Sequence, residues 1–167
     1  MNVLIAVDSR HGATAEIAET IALQLLTHGA RATVEDAANV TGVGGYDGVV
    51  IGSAIYTGRW LKDAKKLAAR EKDHLQGRPV WLFSSGPIGD PLFPEEPPLE
   101  IGALRELTGA REHRLFAGKL DRSELGVLEK AMITAVHAQE GDYRDWLEVR
   151  QFADEIADTL LSPVASG

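Results

Sequence analysis

The chain has 167 residues, of which 44% are apolar, and carries 17 basic against 25 acidic side chains for a net charge of −8. That length suits a single domain, residues 1–167, with a buried core. The absence of cysteine removes disulfides, thiolate catalysis and Cys-based metal sites, and the acidic balance argues against nucleic acid, whose phosphates need a basic surface. Met1 to Val7, "MNVLIAV", reads as a buried strand. It has no basic leader, so no secretory signal is expected. No stretch reaches the ~18 apolar residues of a membrane span, and a soluble, cytoplasmic protein is expected.

Ala13 to His28 follows as an amphipathic helix, with Ile17, Ile21 and Leu25 on one face and Gly29 as its stop. Ala32 to Glu35 reads as a second strand, and Asp36 to Gly45 as a connection of small residues with a weak helical turn. "GVVIGS", Gly48 to Ser53, reads as a third strand. A helix is expected over Trp60 to His74, striped by Leu61, Ala64, Leu67 and Ala68. Arg78 to Ser84 reads as a fourth strand, and the Gly- and Pro-rich stretch Ser85 to Pro98 as loop. A helix over Leu99 to Thr108, a fifth strand over Glu112 to Ala117, a helix over Ser123 to Ala138 and a last helix over Asp145 to Leu161 complete the chain. Asp145 is placed to cap the last helix. Residues 121 to 167 hold ten acidic and four basic side chains, read as a solvated face or as a docking face for a basic partner.

Short apolar strands alternating with helices describe a three-layer, doubly wound α/β fold with a five-stranded parallel sheet of order 2-1-3-4-5. Ligands of such sheets bind outside the carboxyl ends of the strands. Three stretches fall there. In "DSRHGAT", Asp8 to Thr14, hydroxyls and a glycine open a helix whose free amides and dipole favour an anion. Ser9 is read either as a helix cap or as an anion ligand. The turn lacks the lysine of a P-loop and the spacing of GxGxxG. In "GSAIYTGRW", Gly52 to Trp60, small residues admit a flat ligand and Tyr56 or Trp60 offers a ring to stack on it. Trp60 is also read as a core residue at a helix start. "SSGPIGDP", Ser84 to Pro91, offers amides and hydroxyls to a heterocycle edge, or is a plain turn. The five histidines are scattered, and no metal site is expected.

The stretches "LIAVDSRHGATAEIAETIA", "YDGVVIGSAIYTGRW", "LFAGKLD" and "YRDWLEVRQFADEIA" resemble the flavodoxin-like family over nearly the whole chain, and more narrowly its branch related to menaquinone-dependent protoporphyrinogen IX dehydrogenases. The resemblance implies one non-covalent FMN. It implies that the hydroxyls of Ser9 and Thr14, with the amides of Arg10, His11, Gly12, Ala13 and Thr14, bind the FMN phosphate. His11 stands where the family pattern commonly has Thr, and adds charge there when protonated. The resemblance also implies that Ser53, Ala54, Ile55, Tyr56, Thr57 and Gly58 flank the isoalloxazine, with Gly58 in a peptide that reorients when the ring gains a proton. Ser84, Ser85, Gly86, Pro87, Ile88 and Gly89 are implied to line the pyrimidine edge through backbone amides. No aromatic follows in that third loop until Phe93, which leaves one ring face open to a substrate and favours an enzyme over a pure carrier.

The function expected is therefore that of an FMN-dependent oxidoreductase or electron-transfer protein, working with a small-molecule or protein redox partner; homo-oligomer formation is left open. One alternative is a protoporphyrinogen IX dehydrogenase-type enzyme passing electrons to a quinone. Against its attachment to an anionic bilayer, the stretch "PLFPEEPPLE" is apolar and acidic where the membrane-associated members are basic. A non-catalytic binding module of the same fold is a further alternative. A phosphorylation receiver domain shares the strand order, but its third strand would have to end in Asp rather than in Gly52 and Ser53.

Overall fold

The structure is a computed structural model that describes residues 1–88, 94, 96–121, 123, 126, 130 and 139–162. Its elements in chain order are β1 (Asn2–Asp8), α1 (Ala13–Thr27), β2 (Arg31–Asp36), β3 (Gly48–Tyr56), β4 (Arg59–Trp60), α2 (Lys62–Arg70), α3 (Lys72–Leu75), β5 (Val80–Ser85), α4 (Ile101–Thr108), β6 (Glu112–Phe116), β7 (Lys119–Leu120), β8 (Gly141–Asp142) and α5 (Trp146–Leu161). The five long strands pair in parallel in the order β2-β1-β3-β5-β6. Counting these five alone gives 2-1-3-4-5, as the sequence predicts. Most of the helix expected over Ser123 to Ala138 lies outside the described residues.

The sheet is covered on both faces, as a parallel sheet built through crossover helices must be. Val3 to Val7 are all buried, and alternate residues enter different cores. Val3, Ile5 and Val7 pack with α1 and α5. Leu4 and Ala6 pack with α2 and α4. In the first core Phe116 stands 5.8 Å from Phe83 and 5.6 Å edge-on to Phe152, joining β5, β6 and α5.

Helix ends follow local chemistry. After α1, Gly29 takes the left-handed conformation and the Ala30 amide donates to the Leu25 carbonyl. Asp145 caps α5 by accepting from the Leu147 and Glu148 amides. The helix expected over Trp60 to His74 is instead divided: Trp60 belongs to β4, and α2 gives way to α3 at Glu71. The third strand runs three residues further than expected and turns back on itself. Thr57 (φ 51°) and Gly58 (φ 75°) link β3 to β4, with Tyr56 opposite Arg59 and Ile55 opposite Trp60. Two consecutive positive φ angles are the requirement of a type I′ two-residue hairpin turn. β7 and β8 form a separate antiparallel ribbon that the sequence reading does not contain.

Two features of the central strands have measurable consequences. A Cβ on Gly52 would lie 2.1 Å from the Phe83 ring, so glycine there makes room for Phe83. Gly52→Ala is expected to destabilise the fold by about 1–3 kcal/mol, the usual cost of overpacking, read as a lowered chemical-denaturation midpoint at unchanged slope. At the neighbouring strands, Trp60 Nε1 donates to Ser84 Oγ at 2.6 Å, and Ser84 Oγ lies 2.7 Å from His113 Nε2. Burial, aided by the nearby Arg105 charge and opposed by Glu112, pushes the His113 pKa down to about 4 from 6.5. The folded state thus holds His113 neutral where the unfolded chain protonates it. Its contribution is intact above about pH 6.5 and is lost as the pH falls toward about 4. Denaturation measured across that range should show a smaller pH dependence in His113→Asn than in the parent chain; an equal dependence in both would contradict the assignment.

Candidate functional site

Strand register brings the three predicted loops to one edge. Asp8 pairs with Ser53, Ser53 with Ser84, Ala54 with Ser85, and Ser85 with Phe116. The turns leaving β1, β3 and β5 therefore start side by side, one strand spacing apart.

The first turn enters α1 through Gly12, whose φ of 87° and ψ of −15° are left-handed. A Cβ there would meet nothing within 4 Å, so the glycine serves the backbone conformation rather than space. Ser9 does not cap the helix. Its Oγ accepts from the Gly12 amide at 3.0 Å and closes the turn upstream of it. The first helical bond runs from the Glu16 amide to the Gly12 carbonyl, which leaves the amides at the start of the helix directed outward. Thr14 is only 3% exposed as a residue, and among the described residues its hydroxyl makes no hydrogen bond; since no fully buried side-chain oxygen there lacks a partner, this one reaches the surface. His11 is exposed, as are Arg10 and Gly12, while Ala13 is half-buried. Outward amides, a helix dipole and a surface-reaching hydroxyl form a donor set suited to a phosphate oxyanion.

The second loop is bound to the first by polar groups at the strand ends. Leu61, which precedes α2, offers no capping side chain. Asp8 from β1 supplies the missing acceptor: its Oδ2 takes the Ala64 amide at 3.0 Å. Burial raises the Asp8 pKa, against the lowering effect of this bond. Ser53 Oγ accepts the Leu61 amide at 2.9 Å and donates to the Ala54 carbonyl. Ser53 is fully buried, so its hydroxyl is committed within the protein. Ala54, Ile55 and Tyr56 are half-buried, whereas Thr57 and Gly58 are exposed at the hairpin tip. The Arg10 guanidinium carbon lies 4.2 Å from the centre of the Tyr56 ring, which joins the first turn to the second loop. Trp60 is 3% exposed and takes the core role. Its backbone amide donates to Glu100 Oε1 at 2.6 Å, and Glu100 also pairs with Lys65.

The third loop is packed too tightly at its start to serve as expected. Ser84 and Ser85 are buried members of a strand paired on both sides. The Ser84 hydroxyl is held by Trp60 and His113, and Ser85 Oγ donates to the Ala117 carbonyl at 3.4 Å. The Gly86 amide donates to the Phe116 carbonyl, and Pro87 has no N–H. Backbone donors for a ring edge therefore start no earlier than Ile88. Gly89 and Phe93 lie outside the described residues. Gly86 fits closely between neighbours: its Cβ would come 3.2 Å from Ile55 Cβ, while a Cβ on Gly118 would come 3.0 Å from Gly86 Cα.

One participant near the first turn escapes sequence reasoning. Arg144 donates to the Ala13 carbonyl at 3.2 Å, to Glu16 Oε2 at 2.8 Å and to both Asp142 oxygens. Its side chain is 3% exposed and its guanidinium lies 4.6 Å from the Trp146 ring centre. It thereby fastens the segment preceding α5 to the first turn of α1. "YRDW" shows an arginine between polar and aromatic neighbours, but nothing in the sequence points it at Ala13, 131 positions away.

Comparison with known proteins follows the same lines. The chain resembles a flavodoxin from the domain Archaea at TM-score 0.65 and 17% identity, covering 96% of this chain and 99% of that one. It resembles oxidised Flavodoxin 1 from Bacillus cereus at TM-score 0.64 and 15% identity, covering 99% and 100%. It also matches rubredoxin oxygen:oxidoreductase from Desulfovibrio gigas at TM-score 0.66 and 14% identity, over 99% of this chain but 37% of that protein. At these identities the likeness is one of fold. No curated protein matches the sequence. The family described as Flavodoxin domain, whose cofactor is FMN, matches residues 4–146, and the chain belongs to that family.

Proposed function

We propose that this chain is a single-domain, FMN-binding oxidoreductase of the flavodoxin-like kind, residues 1–167, that exchanges electrons with a small-molecule or protein partner in the cytoplasm. The observation that carries the reading is the first turn: a left-handed Gly12, outward amides at the start of α1 and a Thr14 hydroxyl that makes no hydrogen bond among the described residues, all at the sheet edge where two further loops converge. These residues fit the phosphate of FMN. The half-buried Ala54, Ile55, Tyr56 and Ile88 are the candidates to hold its ring, with Gly89, outside the described residues, proposed from the sequence alone. When bound, FMN supplies the one- and two-electron chemistry, while the protein binds, orients and tunes it. Among the described residues no helix is long and apolar enough to cross a membrane.

A porphyrinogen-to-quinone dehydrogenase is the narrower version of this reading. It draws support from the resemblance of the first two loops and from the lack of an aromatic in the third loop before Phe93. The acidic stretch that follows β5 weighs against docking on an anionic bilayer, so a soluble acceptor suits this chain better.

The test begins with the purified protein. Flavin absorption, or quenching of flavin fluorescence on titration with FMN, is expected; a colourless protein indifferent to FMN would refute the proposal. Thr14→Val should weaken FMN by roughly ten-fold, the scale of one lost hydrogen bond to a charged group. Riboflavin, which lacks the phosphate, should lose little. Equal losses for the two ligands would remove Thr14 from the phosphate site.

A further inference from the structure

One side-chain contact of the first turn reaches a different loop. Ser9, Gly12 and Thr14 face the start of α1, but the Arg10 guanidinium is drawn to Tyr56 at the end of β3, 4.2 Å from its ring centre. That distance is well inside the ~6 Å reach of a cation over an aromatic face. Tyr56 is where such a brace is needed. It is the last residue of β3, and beyond it the chain reverses through Thr57, a β-branched residue at φ 51°. That conformation is strained for such a side chain, and β4, which closes the hairpin, has two residues. The phosphate turn, in contrast, already has amides and the Thr14 hydroxyl as donors.

We propose that Arg10 is a positioning residue for the flavin ring, acting through Tyr56, and not a ligand of the phosphate beside which the chain places it. This rests on the flavin reading above. The guanidinium holds the Tyr56 ring against the first turn, which sets the aromatic wall of the ring site before a ligand arrives. Any ligand carrying the same ring benefits equally, whether or not it carries a phosphate.

The experiment is a set of fluorescence titrations with FMN and with riboflavin on the parent chain, Arg10→Ala, Tyr56→Leu and the double variant, each checked for folding by circular dichroism. Arg10→Ala should weaken both flavins by the same factor, roughly two- to five-fold, the range of an exposed cation–aromatic contact. In the Tyr56→Leu background its effect should shrink, because residues in contact couple. The visible band of bound flavin should shift in the same direction in both single variants, a signature that a general loss of stability would not produce. Competition by inorganic phosphate against FMN should keep its strength in Arg10→Ala. A loss confined to FMN, weaker competition by phosphate, or additive effects of the two substitutions would overturn the assignment. A parent chain that binds neither flavin would instead defeat the flavin reading itself, and this inference with it.

Discussion

Burial of the parallel sheet on both faces is the constraint from which the rest follows. Because Val3 to Val7 are enclosed by helices on either side, the strands cannot slip by one residue without exchanging the contents of two cores. The register that results aligns the ends of β1, β3 and β5. The loops that leave these ends are held in place before any of their own residues contribute. The side chains at the boundary then tie the loops together. Asp8 accepts from the start of α2, Ser53 from Leu61, and Ser84 from Trp60. Each is a buried polar group that would be costly without its partner. Pairing these groups therefore both stabilises the edge and holds the site in shape.

An acidic protein that offers a home to a phosphate must do so locally. The net charge of −8 acts over the whole surface and is screened by salt within about 10 Å. The amides at the start of α1 act at contact distance. Arg144 is consumed by Asp142 and Glu16, so its charge strengthens the attachment of the later segment rather than the anion site. Among the described residues, Thr57 at the hairpin tip is the one non-glycine residue with a positive φ, an angle that asparagine or glycine would accept more readily. Its neighbours Arg10 and Tyr56 face each other across the gap between two loops. The first turn and the second loop are thus joined by a side-chain contact.

Much of the fold was legible because periodicity and punctuation agree. The unbroken apolar run of β1, the four-residue spacing of Ile17, Ile21 and Leu25, Gly29 after α1 and Asp145 before α5 each have one local cause, and the structure shows each outcome. The errors came where a local pattern met a long-range partner. Leu61, Ala64, Leu67 and Ala68 have helical spacing, but Trp60 is drawn into a hairpin by pairing with Ile55 and by the Ser84 hydroxyl. "YTGR" reads as a loop unless the strand before it is known to continue. The serines of the second and third loops looked like ligands because a hydroxyl at a strand end serves equally well as an internal hydrogen-bonding group. Only the identity of its neighbour decides which.

The sequence by itself determined the strand and helix alternation, the two-sided core and which three turns leave the carboxyl ends of strands. Those are consequences of apolar spacing and glycine placement, which are local. Tertiary structure decided which polar atoms remain available. It spent Ser53, Ser84, Ser85 and the Gly86 amide on the protein's own neighbours, left the Thr14 hydroxyl unpaired among the described residues, and turned Arg10 toward Tyr56. A hydrogen bond depends on which group lies within about 3 Å, and that is set by the packing of strands and helices far apart in the chain.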